Sequence, residues 1–347
     1  MQNSLLDYCE TDRQRQVVTA YINHGSANKA ARALNMQRRG VDKMIKRLQE
    51  KMQNNVEHKE ITFTEAPHGD ETIDEILARK RNLYKRKKAA HDFNKLIPVT
   101  VNDDKPIALC ILGDPHIDDD GCDIDALERD LDVISSTPGM YAGHAGDLTN
   151  NWVGRLARLY ANQTTTAGQA IKLMEWMLNR APNLFVINGN HDNWNQGGDL
   201  ISFVMRSVGG INSTHGGRIA LNFKNGKQVR IHARHSFKGT SVYNPTHGQR
   251  RAQLWEGNRD HVYVAGHFHT DACSMIPQSD GTCSWSFQVS GYKVIDDYAL
   301  EGGFTEQRAN PSVTLVINPK ASNEAELIKP FWDSKLAAKY LTWLRAQ

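Results

Sequence analysis

The chain has 347 residues, 39% of them hydrophobic and 23% charged, with a formal net charge of +3. That is apolar material for one large domain plus an accessory one, and disorder is not the default. No apolar run approaches the roughly 20 residues needed to span a bilayer, and the start at Met1-Gln2-Asn3-Ser4 lacks a basic stretch followed by an apolar one, so a cytoplasmic protein without membrane contact is expected.

The five cysteines (Cys9, Cys110, Cys122, Cys273, Cys283) are odd in number, scattered and never spaced as Cys-x-x-Cys. Neither a disulfide framework nor a structural zinc site is expected. Charge is uneven: residues 1 to 100 carry an excess of six positive charges, leaving about −3 for the remainder. The basic residues concentrate between Arg38 and Lys51 and between Arg79 and Lys88.

Thr11 or Asp12 can cap a first helix running to about Asn23, with Val17, Val18, Tyr21 and Ile22 on its apolar side and His24-Gly25 ending it. Ser26 caps a second, Ala27 to Leu34, whose alanines permit close packing; Asn35-Met36 then turns the chain. In the third segment Val41, Met44, Ile45, Leu48 and Met52 recur at helical spacing, while Arg38, Arg39, Lys43, Lys46 and Arg47 take much of the remaining surface. The pattern over residues 1–55 resembles a helix-turn-helix with residues 38 to 52 as recognition helix, whose cations would meet DNA phosphates and base edges. A small helical bundle with its charges in water is the alternative. Residues 56–96 are read as a charged linker, with a helix from Thr72 to about Asn94 that is acidic at its start and basic toward its end, as suits the helix dipole.

From residue 97 apolar runs alternate with polar loops. Ile107 to Leu112 reads as a buried strand ending at Gly113-Asp114-Pro115-His116. Met140 to Ala145 precedes Gly146-Asp147-Leu148-Thr149-Asn150, and Asn183 to Ile187 precedes Gly189-Asn190-His191-Asp192. Val229 to Arg234 precedes His235, and His261 to Ala265 precedes Gly266-His267-Phe268-His269. Asp123 to Ile134 and Gly168 to Asn179 have helical character. Loops at the carboxyl ends of strands are where α/β sheets place their sites. Carboxylate, amide oxygen and imidazole together are the donors that divalent metals want.

Five such motifs in this order, over residues 105 to 320, resemble a calcineurin-like metallophosphoesterase. The resemblance implies a four-layer α/β/β/α sandwich over residues 97–325, after which residues 326–347 are expected to dock as an amphipathic helix. It also implies two divalent ions, manganese or iron before zinc: Asp114, His116 and His269 on one, Asn190, His235 and His267 on the other, with Asp147 bridging. His191 would give a proton to the leaving oxygen, with Asp192 orienting it, and a metal-bound hydroxide would attack the phosphodiester.

Several positions stay open. His232 competes with His235, which is preferred because it falls at the strand end. Asp118, Asp119 and Asp120 are read as a surface acidic turn before an extension of the metal site, and His144, His215 and His261 as structural or solvent-facing. Asn150, where many family members carry Asp, joins Trp152, Trp194 and His247 as candidates for the substrate groove; the tryptophans would stack on a base or simply pack in the core.

A basic module fused to a phosphoester hydrolase is similar to bacteriophage and prophage proteins and points to a nuclease acting on DNA, single- or double-stranded. The alternatives are a phosphatase or small-nucleotide phosphodiesterase, and a DNA-binding regulatory or packaging protein with a vestigial metal centre. Homodimer formation is an open expectation.

Overall fold

In the computed structural model, which describes residues 3–56, 69–194, 199–303 and 310–347, Thr11 caps the first helix through a reciprocal box with Gln14. That helix, α1 (Asp12–His24), ends at Gly25 in the left-handed conformation. Ser26 caps α2 (Ala27–Ala33), and Asn35, also left-handed, turns the chain into α3 (Arg38–Val56). Val17, Val18, Ala30, Ala31, Val41, Ile45 and Leu48 close one small core, joined by Leu5 from a short N-terminal 3-10 helix that the sequence reading does not foresee. Part of the expected linker, residues 57–68, lies outside the described residues. Beyond it α4 (Ile73–Asn94) forms as the charge pattern predicts and buries none of its side chains. The chain divides into two compact units, Met1–Lys80 and Arg81–Gln347.

Twelve strands follow among the described residues: β1 (Ile97–Val101), β2 (Ile107–Leu112), β3 (Met140–His144), β4 (Asn183–Ile187), β5 (Ile211–Ser213), β6 (Gly217–Phe223), β7 (Gln228–Ala233), β8 (Val262–Ala265), β9 (Ala272–Pro277), β10 (Cys283–Gln288), β11 (Ser312–Ile317) and β12 (Ile328–Phe331). Their helices are α5 (Ile124–Ser136), α6 (Ala167–Arg180), α7 (Asn190–Asn193), α8 (Leu200–Val208), α9 (His247–Trp255), α10 (Asp297–Glu301), α11 (Glu324–Leu327) and α12 (Ser334–Arg345). Two six-stranded mixed sheets result, in the orders β12-β11-β2-β3-β4-β5 and β1-β6-β7-β8-β10-β9.

The period of two along a strand sorts β2 between two cores. Leu109 and Ile111 face the interior between the sheets, with Phe185, Ile187, Val313, Leu315, Ile231, Val264 and Phe287. Ala108, Cys110 and Leu112 face the helical side, with Leu127, Leu131 and Ile134 of α5, Met174 and Met177 of α6, Met205 of α8 and Leu341 of α12. Both faces covered is why the whole strand is apolar. On the far side of the other sheet Tyr263 and Ala265 pack with Phe237 and with Ala252 of α9. The body is thus a mixed α/β sandwich with helices outside both sheets.

The C-terminal stretch departs from the single helix expected from residue 326. It runs through α11 and the edge strand β12 before α12 begins. Ser334, at the start of α12, donates to the buried Asp130 at 2.7 Å, and Tyr292 and Ser312 donate to the same carboxylate at 2.7 and 2.9 Å.

Candidate metal centre

Five strand-end loops, from both sheets, deliver the polar residues singled out above to one place. Asp114 and His116 follow β2, Asp147 follows β3, Asn190 opens the short helix after β4, His235 follows β7, and His267 and His269 follow β8. His116, Asp147, His267 and His269 all have left-handed backbone, with φ of 42°, 49°, 77° and 49°. Such conformations cost about 1–3 kcal/mol each for residues with a side chain and collect at functional sites. Two glycines let the loops close in: a Cβ at Gly189 would lie 2.0 Å from Asp147 Oδ1, and one at Gly266 would lie 2.2 Å from Asp114 Oδ1.

The donor atoms converge around Asp147. Its Oδ2 lies 3.1 Å from His235 Nε2 and 4.0 Å from both His116 Nε2 and His191 Nε2. His235 Nε2 is also 3.0 Å from Asn190 Oδ1 and 3.1 Å from His267 Nδ1. Asp114 Oδ2 stands 3.3 Å from His269 Nε2 and accepts the His267 amide at 2.6 Å. Among the described residues three triplets can each bring ligand atoms within 4.8 Å of one another: Asp114, His116 and His269; His116, Asp147 and His191; Asp147, His235 and His267.

The surroundings fit a cation. Asp114 Oδ1 is buried without a hydrogen-bond partner. Burial opposes charge on His235, yet the facing carboxylates of Asp114 and Asp147 outweigh it and hold the ring's pKa up to about 10. For Asp147, burial is likewise outweighed, by its hydrogen bond to His235 and the neighbouring histidines, and its pKa is lowered. His116, desolvated and next to His191, is pushed well below the ordinary imidazole value. The carboxylate field that keeps a proton on His235 is the field that attracts a divalent ion.

His191 is held differently from the sequence expectation. Its Nδ1 donates to the backbone carbonyl of Asn150. Asp192 does not orient the ring; its two oxygens accept the amides of Gly189 at 2.7 Å and Leu148 at 3.1 Å, pinning the two ligand loops together. Burial and the charge of Asp147 push the Asp192 pKa up to about 7. Asn150 is fully buried and is not a groove residue. Its amide donates to Asp118 at 2.7 Å, and its side chain donates to Asp119 at 2.7 Å and to Gln163 at 3.0 Å. Asp118 is therefore buried rather than part of a surface turn, while Asp120 is exposed.

A cleft of about 710 Å³ opens over the donors, walled by Trp152, Leu156, Trp194, Phe268, Val294 and Leu300. The Trp152 and Trp194 rings stand 5.1 and 4.3 Å from the His191 ring. His247 is exposed at the start of α9, beside Gly239, and does not line the cleft. His232 lies elsewhere, buried against Phe237 and Tyr263; His235 is the histidine that joins the cluster. His144 and His261 are buried and His215 is exposed. The sequence reading misses Phe268 and Lys293, which line the cleft, and Gln163, which holds Asn150, since no pattern marks a phenylalanine, lysine or glutamine whose place is set only on folding. In the N-terminal unit Arg38, Arg39, Lys43, Lys46 and Arg47 are all exposed on α3.

No family model matches the chain, and no curated protein matches it. Similar solved structures include a protein of unknown function from Aquifex aeolicus, at 12% identity over 47% of this chain and 80% of that one, with a TM-score of 0.28. A hypothetical protein from Thermus thermophilus aligns at 10% identity over 65% and 98%, with a TM-score of 0.37. Vps29 from Chaetomium thermophilum aligns at 12% identity over 65% and 91%, with a TM-score of 0.29. Likenesses this distant carry no argument, and the chemistry rests on the residues themselves. No helix among the described residues is long and apolar enough to cross a membrane.

Proposed function

We propose that the chain is a metal-dependent phosphodiesterase acting on nucleic acid, a DNA nuclease directed to its substrate by the basic α3. The observation that carries this reading is the convergence of carboxylate, amide and imidazole donors on Asp147 from five separate loops. Asp114, His116 and His269 would hold one divalent ion and Asn190, His235 and His267 a second, with Asp147 shared. Manganese or iron suits this mixed oxygen and imidazole set, and zinc is the third option. Ions bound there would supply Lewis acidity toward a phosphoryl oxygen and lower the pKa of water.

The protein's own part is proton transfer and positioning. With Nδ1 of His191 committed to the Asn150 carbonyl, Nε2 is the nitrogen left to pass a proton to the leaving oxygen. Asp118, Asp119 and Gln163 hold Asn150 in place, and Asp192 keeps the Asp147 and Asn190 loops in register. The exposed cations of α3 support a phosphate-binding role for the N-terminal unit.

Cleavage of end-labelled linear, circular, single-stranded and duplex DNA with manganese tests the reading. Wild type is expected to cut at least one of these and Asp114→Ala or His116→Ala to be inactive; wild type that cuts none of these under any divalent metal overturns the nuclease. The walled cleft keeps small-nucleotide phosphodiesterase or phosphatase activity as a second reading. Hydrolysis of bis(p-nitrophenyl) phosphate against p-nitrophenyl phosphate separates diester from monoester preference.

A further inference from the structure

We infer that the cleft binds an unpaired nucleobase beside the scissile phosphate, with Phe268 as the ring on which it stacks. The metal centre would therefore act on single-stranded or locally opened nucleic acid and not on intact duplex. The inference rests on the phosphodiesterase reading for the reaction, but not for the binding.

A groove that grips a polyanion carries several lysines and arginines. Among the described residues this cleft is lined by one lysine and no arginine. That lysine, Lys293, is buried and already engaged by Asp119 at 2.9 Å and Asp296 at 3.0 Å. Its ammonium also sits 5.2 Å from the centre of the Trp152 ring. Asp296 and Glu301 add negative charge to the lining. Without metal, the described lining offers little to hold a phosphate.

The walls offer aromatic surface instead. Phe268 stands between two candidate ligands, His267 and His269, and remains 41% exposed, so core packing does not account for it. Its ring meets His267 edge-on at 4.8 Å and 68°. Trp152 and Trp194 flank His191, the candidate proton donor, in the same cleft. Aromatic faces next to a phosphoryl-transfer site suit a base, and within a duplex both faces of a base are covered by its neighbours. An unpaired base presents a free face.

The test is a tryptophan-fluorescence titration of the full chain without added metal. The ligands are a thymidine dinucleotide and the same molecule with each base in turn replaced by hydrogen. Loss of the stacked base is expected to weaken binding roughly 5- to 150-fold. Phe268→Leu, which keeps apolar bulk but removes the ring, should abolish that difference, and Phe268→Tyr should restore it. Affinity should change little with salt. Equal binding of intact and abasic ligands, an undiminished difference in Phe268→Leu, or a steep salt dependence would each overturn the base site. Hydrolysis of bis(p-nitrophenyl) phosphate by wild type with manganese is scored separately: its absence removes the phosphodiesterase reading and leaves the binding result standing.

Discussion

Asp147 Oδ2 lies 3.1 Å from His235 Nε2, which ties a loop following β3 of one sheet to a loop following β7 of the other. On the proposed reading this carboxylate is shared by both halves of the donor set. Asp147→Ala is therefore expected to remove most of the bound divalent metal, whereas His232→Gln, three residues from His235 but in another part of the core, should retain it. Elemental analysis of the purified proteins after metal loading decides between them, and equal metal content in both variants would contradict the shared-carboxylate role.

Gly189→Ala asks the same question through the backbone. A Cβ there would stand 2.0 Å from Asp147 Oδ1 and 2.5 Å from its amide nitrogen, so the carboxylate must move. Metal affinity is expected to fall roughly 10- to 100-fold, the range seen when ligand orientation is disturbed. Chelator competition measures it.

His191→Ala should lower kcat by about 10²–10⁴ on substrates with a poor leaving group, as for loss of a general acid. The loss should be much smaller with p-nitrophenol as leaving group, which departs without a proton. Asp118→Ala loosens the amide that positions the Asn150 carbonyl and is expected to reduce kcat about tenfold with little change in KM. A KM effect alone would place Asp118 outside this chain of contacts.

Stability should fall as pH drops from about 6.5 to about 4. Burial lowers the pKa values of His144, His232 and His261 to about 4, from an ordinary 6.5. In that window the unfolded chain binds protons that the folded one refuses, so the stabilisation present above 6.5 is lost progressively on acidification. Urea midpoints across the range should decline, and His144→Gln should show a shallower slope than wild type.

Arg39→Ala combined with Arg47→Ala removes two exposed cations from α3. Duplex DNA binding should weaken, and the slope of log K against log salt should flatten by about 2, near 0.9 per lost phosphate contact. An unchanged slope, measured by fluorescence anisotropy, would take α3 out of the interface.

Much of the fold was legible because local rules and tertiary packing agree. Thr11 and Ser26 have the side chains that helix starts require and sit at those starts. The apolar run of β2 needed cover on both faces and has it. No expectation covered β1, β5, β6, α8 or α9. The helix expected from residue 326 starts only at Ser334, because Ile328 to Phe331 complete the edge of a sheet beside β11.

By itself, the order of residues determined which side chains were candidates: polar donors placed just past apolar runs stand at strand ends, because a strand of that composition must be buried and its loop must not. Folding alone decided which donors meet. His232 and His235 differ by three positions, and only the register of β7 against β8 sends one into the core and the other to Asp147. The same holds for Asn150 turning its carbonyl to His191 and for Phe268 standing exposed in the cleft. Those are distances between segments far apart in the chain, set by how two sheets pack, and no local pattern encodes them.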